Sequence, residues 1–365
     1  MDESSEYLSR QIITYIGNKR SLLPMIGKAV VKASESVGRD RMRLFDVFSG
    51  SGVVSRYFKR FASELYSNDL ETYSRICNEC YLSNAGLMAG VFTRRDLDEF
   101  RKRVDENLAP GFITEMYAPA DDRAIRPGER VFYTRRNAMY IDTAMREIAG
   151  LPEEARKYVM APLLYSASVH CNTSGVFKGF YKGRDGIGKF GGEAGNALPR
   201  ILGDVDVEYP VMSRFDCDSV VMQRDAVEAA ESMPCDVDLA YLDPPYNQHP
   251  YGSNYFMLNL IAEGSRPEKV SGVSGIPEDW NRSAYNRRKD AWGELQRLVS
   301  AVRAKYIAIS YNSDGFVPYE DFVDGLSRLG RLDVFDTEYN TFRGCRNLHS
   351  RDMHVREYLF LLERE

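Results

Sequence analysis

Asp243, Pro244, Pro245 and Tyr246 stand directly after the apolar run from Val237 to Leu242, and their types suit one chemical task. Two successive prolines fix the backbone and offer no N–H, so the carbonyls of Asp243 and Pro244 are left as acceptors. A carboxylate beside a rigid carbonyl makes an acceptor pair for one NH₂ group, and Tyr246 adds a face on which a planar ring can stack. The exocyclic amino group of a base fits that description. The plainer reading is a rigid turn with a solvated aspartate. A position at a strand end, where open α/β sheets bind their ligands, favours the chemical reading, as do Asn247 and Tyr251 just beyond.

A second stretch, Asp46-Val-Phe48-Ser-Gly50-Ser-Gly52, couples an acid to glycines between a strand and a helix. Glycines there permit a tight turn and close backbone approach to a ligand. The pattern departs from the dinucleotide fingerprint, since no GxGxxG is present and the acid precedes the glycines. Asp46 therefore suits a cofactor with a positive amino group better than a pyrophosphate. Asp69 ends the next strand, at about the spacing from Gly50 expected of a ribose-binding acid. Asp225 follows the run Val220 to Arg224 and is either a contact for an adenine amino group or the N-cap of the helix after it. Tyr15-Ile-Gly17-Asn-Lys19 reads equally as a loop and cap before a helix or as a cofactor contact, with Lys19 neutralising a carboxylate and Tyr15 covering an apolar surface.

The elements that must position these residues are a repeated strand, turn and helix. Arg43 to Phe48 and Glu64 to Asp69 read as strands, each followed by a helical run, which predicts a parallel, doubly wound sheet. From about Gly90 to Phe215 the alternation stops, and it returns at Ser219, Val237 and Ala304 before two closing strands. One α/β domain, residues 1–89 and 216–365, interrupted by an insertion at 90–215, accounts for strands that resume. The chain has 365 residues, of which 44% are hydrophobic and 28% charged, with a net charge of −5, which argues against disorder and against bulk coating of nucleic acid. Its apolar runs are shorter than the roughly 20 residues a bilayer requires. The acidic, polar first residues predict a cytoplasmic chain without a signal peptide, whose six cysteines, Cys77, Cys80, Cys171, Cys217, Cys235 and Cys345, are thiols.

In combination and order, YIGNKRSLLP, DVFSGSG, the Asp69 strand end, DPPYNQHPYGSNYF and the closing EYLFLL resemble the alpha-class, Dam-like N6-adenine DNA methyltransferases. The resemblance covers both ends of the chain and well over half of it. It implies a Rossmann-like S-adenosylmethionine-dependent methyltransferase sheet with a target-recognition domain inserted between the second and third strands. It further implies cofactor contacts from Tyr15, Lys19, Asp46, Phe48, Gly50, Gly52, Asp69, Asp225 and Asp243, and a target base held by Asp243, Pro244, Pro245 and Tyr246. Ala226 departs from the pattern, because the family often has an aromatic residue after the third acid. The implied reaction is methyl transfer to N6 of an adenine flipped from duplex DNA, with no metal required and a cognate restriction endonuclease as a candidate partner.

The insertion carries Arg94, Arg95, Arg101, Lys102, Arg103, Arg123, Arg126, Arg130, Arg135 and Arg136. The stretch from His170 to Gly192 interleaves lysine and arginine with Phe177, Phe180 and Tyr181 and resembles the family's DNA-contacting hairpin. Asn172, Lys178, Lys182, Arg184 and, after the catalytic turn, Tyr251 are the expected DNA contacts. The Arg101 to Arg103 run sits among acids and reads more simply as a solvated face. Arg282, Arg287, Arg288 and Lys289 around Trp280 form a second basic group. Cys77 and Cys80 form a CxxC whose helical context points to packing rather than zinc. The alternatives are amino methylation of RNA or of cytosine N4, and a non-catalytic DNA-binding module.

Overall fold

Seven strands form one mixed sheet in the order β3-β2-β1-β4-β5-β7-β6 in a computed structural model that describes residues 3–340 and 354–364. Cys345 and the polar turn before the last strand lie outside those residues. The strands are β1 (Met42–Asp46), β2 (Ala62–Asp69), β3 (Asp218–Gln223), β4 (Val237–Leu242), β5 (Ala304–Asn312), β6 (Gly330–Asn340) and β7 (His354–Arg364). β1 to β5 pair in parallel and β7 runs antiparallel between β5 and β6. Every residue of β4 is buried, as expected of a central parallel strand covered on both faces. Chain order reverses between β1 and β4, and ligands of open α/β sheets bind at such switch points, beyond the carboxyl ends of the strands.

Helices fill the crossovers. Val53–Phe58 follows β1, Thr72–Tyr81 follows β2 and Ala226–Glu231 follows β3. Two hydrophobic clusters cover the sheet, one around Leu44, Leu239 and Tyr306 and the other around Phe45, Ala240 and Ile307. Alternate residues of the strands thus face opposite layers.

No strand lies between β2 and β3, a separation that runs from Asp69 to Asp218; helices occupy it, notably Arg94–Glu106, Arg135–Ala149 and Glu153–Val169. Their apolar faces pack with Tyr73 and Cys77 of the helix after β2 and with Phe256 and Met257. The insertion therefore shares its hydrophobic cluster with the sheet-bearing part. Cys77 and Cys80 belong to that cluster, and burial pushes both thiols well above their ordinary range. No helix among the described residues is long and apolar enough to cross a membrane.

Candidate active site

The strand ends meet because Asn68 ties them. Its buried amide donates to the Val47 carbonyl after β1 and the Arg224 carbonyl after β3, each at 3.1 Å, while its Oδ1 accepts from Arg224 N–H. Gly50 and Gly52 have φ of 50° and 77°. Both values lie in the left-handed region that favours glycine. A Cβ at Gly52 would fall 2.8 Å from Asn78 Oδ1, and one at Gly50 would fall 3.2 Å from the Tyr15 ring. Asp69 fixes this loop by accepting Gly50 N–H at 2.8 Å and Glu71 N–H at 3.0 Å.

Above the loop lies a cleft lined by Tyr15, Lys19, Phe48, Asp69, Asp225 and Asp243 among others. Asp46 sits beneath it, fully buried, with Oδ2 accepting from the Ser55 hydroxyl at 2.6 Å and Oδ1 without a hydrogen-bond partner. Burial pushes its carboxyl up to about 7, the nearby Asp243 and Asp69 adding to the rise and Ser55 opposing it. Asp225 is exposed at the far end of the cleft and caps the helix Ala226–Glu231 by accepting Val227 N–H at 2.9 Å. Both of its sequence readings are compatible with this position. Phe48 and Tyr285 also line the cleft, beside Ala226, and their rings meet edge to face at 5.2 Å.

Lys19 enters from the N-terminal loop, 4% exposed, with Nζ 3.2 Å from Asp243 Oδ1 and 3.8 Å from Glu357 Oε2. Burial alone would lower the lysine pKa, and the two carboxylates hold it above its ordinary value instead. Burial pushes Asp243 up to about 6, Lys19 opposing and Glu357 reinforcing. Tyr246 is braced from behind by an edge-on contact with Tyr311 at 5.9 Å and by Phe316 N–H, which donates to its carbonyl at 3.0 Å. Asn286 donates to the Asn247 carbonyl at 2.7 Å and also lines the cleft.

One expected DNA contact sits inside the protein. Asn172 is fully buried: its amide donates to the Val131 and Lys189 carbonyls at 2.8 and 3.3 Å, and its Oδ1 accepts from Gly191 N–H at 2.9 Å. With every polar atom engaged, it braces the hairpin instead of reaching a base edge. Tyr251 lines the cleft, stacked on Tyr15 with centroids 5.0 Å apart. By contrast, Lys178, Lys182 and Arg184 are exposed, the last two on a short hairpin closed by a Lys182–Gly188 bridge. The Arg101 to Arg103 run is paired throughout, with Asp206, Glu106 and Glu147 respectively.

Sequence reasoning missed Glu71, Asn281, Tyr285 and Glu357. Glu71 is buried, accepts from Asn259 and Asn281 at 2.5 and 3.1 Å, and is pushed up to about 7 by burial. Glu357 shares strand parity with the fully buried Leu359 and Leu361, but Phe360 and Leu362 of the other parity are equally buried, so no alternation in EYLFLL marks it as an inward-facing residue.

Strand order and cleft together define a Rossmann-like α/β enzyme that binds its ligand across the switch point. The chain belongs to the D12 class of N6 adenine-specific DNA methyltransferases, whose family model matches residues 15–186 and 216–286. It is 30% identical to the Type II methyltransferase M.CviAII of Paramecium bursaria Chlorella virus 1, over 96% of this chain and 98% of that one. Identity to the Type II methyltransferase M.NlaIII of Neisseria lactamica is 27%, over 96% and 99% of the two chains. The Modification methylase StsI of Streptococcus sanguinis is 26% identical over 96% of this chain, which spans 52% of that relative.

Proposed function

We propose that the cleft takes S-adenosylmethionine and that the Asp243–Tyr246 turn receives an adenine turned out of duplex DNA. The observation that carries this reading is under-neutralised carboxylate at the strand ends: Asp46 keeps a buried oxygen without a partner, and Asp243 shares its one buried lysine with Glu357. A cofactor bearing an amino group and a sulfonium fits such a surplus of negative charge. When bound, S-adenosylmethionine supplies an electrophilic methyl group on positively charged sulfur.

Asp46 would hold the methionine amino group, the Gly50 to Gly52 loop its carboxylate, Asp69 the ribose hydroxyls and Asp225 the adenine amino group. Phe48 and Tyr285 flank that adenine, and Tyr15 with Tyr251 covers the cleft near Gly17. Asp243 and the Pro244 carbonyl each accept one N–H of the target amine. Two acceptors draw the amine toward a pyramidal shape and free its lone pair for in-line attack, so positioning and fixed charge provide most of the acceleration. Tyr246 stacks on the flipped base and offsets part of the few kcal/mol that flipping costs.

Lys178, Lys182 and Arg184 of the inserted segment, with Arg282 and Arg287 near Trp280, grip phosphates of the duplex. Residues 90–215 act as the target-recognition unit. The enzyme works in the cytoplasm and, as the names of its relatives suggest, opposite a cognate restriction endonuclease. Tritiated S-adenosylmethionine offered with duplex DNA and RNA together tests the substrate: label is expected in duplex DNA as N6-methyladenine. Label in RNA, or at cytosine N4, would overturn the reading.

A further inference from the structure

Glu357 is a buried acid outside the cofactor and base contacts. It stands on β7 opposite Asn312 of β5 and Thr337 of β6, and it is 5% exposed. Its Oε2 has no hydrogen-bond partner among the described residues, with Lys19 Nζ 3.8 Å away and Asp243 Oδ1 bound to the other side of that ammonium at 3.2 Å. Among the described residues, the remaining groups around the trio bring no further cation. They are Tyr241 of β4 with an unpartnered buried hydroxyl, Tyr246 with its ring 5.5 Å from Lys19 Nζ, Asn312, and Asp46 at the end of β1. One ammonium and two carboxylates therefore share the floor of the cleft, the Glu357 side chain 6% and the Asp243 side chain 19% exposed, and a surplus charge held largely out of water is removed by a counter-charge or a proton.

We propose that Glu357, acting through Lys19, makes Asp243 the holder of the proton that leaves the amine, and that the site keeps this proton until the products depart. The inference rests on the reading that Asp243 receives the reacting amine. In the reaction a C–N bond replaces the C–S bond of the methyl donor, the C–S electron pair stays on sulfur, and one N–H bond breaks. The site loses the donor's positive charge as Asp243 gains the proton. With Glu357 present, that proton brings the trio to neutrality. With glutamine there, ionised Asp243 and Lys19 already balance, and nothing retains it. Glu357 is a positioning residue, since it touches Lys19 and not the amine. Its contribution to the raised proton affinity of Asp243 has the required sign.

Calorimetry in buffers of different ionisation enthalpy counts the protons taken up on binding. With a duplex the enzyme has already methylated on both strands, the wild type near neutral pH should take up close to one proton per site with S-adenosylhomocysteine and none with S-adenosylmethionine. Glu357→Gln should take up none with either. In single-turnover methyl transfer the same variant should slow about tenfold at neutral pH, short of what a directly contacting acid–base group supplies. Its acid limb should move to lower pH, with Glu357→Asp restoring it part of the way; a merely structural role would leave the limb in place. Equal proton uptake with the two cofactors by the wild type overturns the inference, whatever the variants do, and leaves the proposed function standing. An Asp243→Ala enzyme that still methylates overturns the reading beneath it.

Discussion

At the carboxyl edge of the sheet, Asp243 and Glu357 flank the buried Lys19, with the buried Asp46 near Asp243, and the acids outnumber the cation. Across the segment between β2 and β3 the pattern differs: Arg95 and Arg136 are exposed, Arg101 and Arg103 half-buried, and each faces an acid at ion-pair distance. The difference teaches where charge carries function in this chain. Exposed pairs exchange water for each other at a gain of about 1 kcal/mol or less. A largely buried, unbalanced set has little water to fall back on, so it is poised for a ligand of opposite charge. The hairpin residues Lys182 and Arg184 fall between the two, exposed and at most loosely paired: Lys182 lies over the Phe180 ring at 5.1 Å, and Arg184 is 3.7 Å from Glu193.

Breaking the largely buried set has the largest expected effect. Lys19→Met leaves two carboxylates without their cation, and methyl transfer should fall about a hundredfold or more, with unfolding free energy down by about 3 kcal/mol. Single-turnover assays and denaturant titration measure both; a rate within about threefold of wild type would place Lys19 outside the site.

Asp46→Asn sharpens the comparison by separating binding from stability. Cofactor affinity should drop at least about tenfold, because a buried charge-assisted contact is lost. Stability of the cofactor-free protein should rise by about 2–4 kcal/mol near pH 8, since the native carboxyl titrates about 7 instead of near 4. The sign follows from proton counting. Between about pH 4 and 7 the native state binds more protons than the unfolded chain, so the wild type loses stability as pH rises through that window, and the asparagine variant lacks this loss. Melting curves at pH 4 and pH 8 check it: the advantage should vanish at the lower value.

The hairpin comes next. Lys182→Ala with Arg184→Ala should weaken duplex binding about tenfold and lower the salt slope by about two, with single-turnover methylation at saturating DNA unchanged. Arg101→Ala should have the smallest effect, under about 1 kcal/mol in stability and none on DNA affinity. A loss as large as the hairpin's in a filter-binding titration would erase the distinction drawn between paired and available cations.

Much of the sheet edge was legible because its signals are local. DVFSGSG, the Asp69 strand end and DPPY each join a strand to a turn, and backbone geometry then carries Asp46, Asp69 and Asp243 to one rim. Asp225 was legible only as two options, and the structure makes it a cap that also lines the cleft. Glu357 and Tyr285 were not found, because what matters is the neighbour each acquires across the sheet or the cleft, Lys19 in one case and Phe48 in the other. Asn172 was misplaced for a related reason. Residue type shows what a side chain can bond, but not whether the protein's own backbone has already taken those bonds, as it has for Asn172.

Asp243→Ala tests the central claim most directly, with duplex binding and methyl transfer measured on the same preparation. The account predicts binding within about twofold of wild type and methyl transfer reduced at least about a thousandfold, since the variant keeps the phosphate contacts and loses an acceptor for the amine. Methylation at the wild-type rate would contradict it.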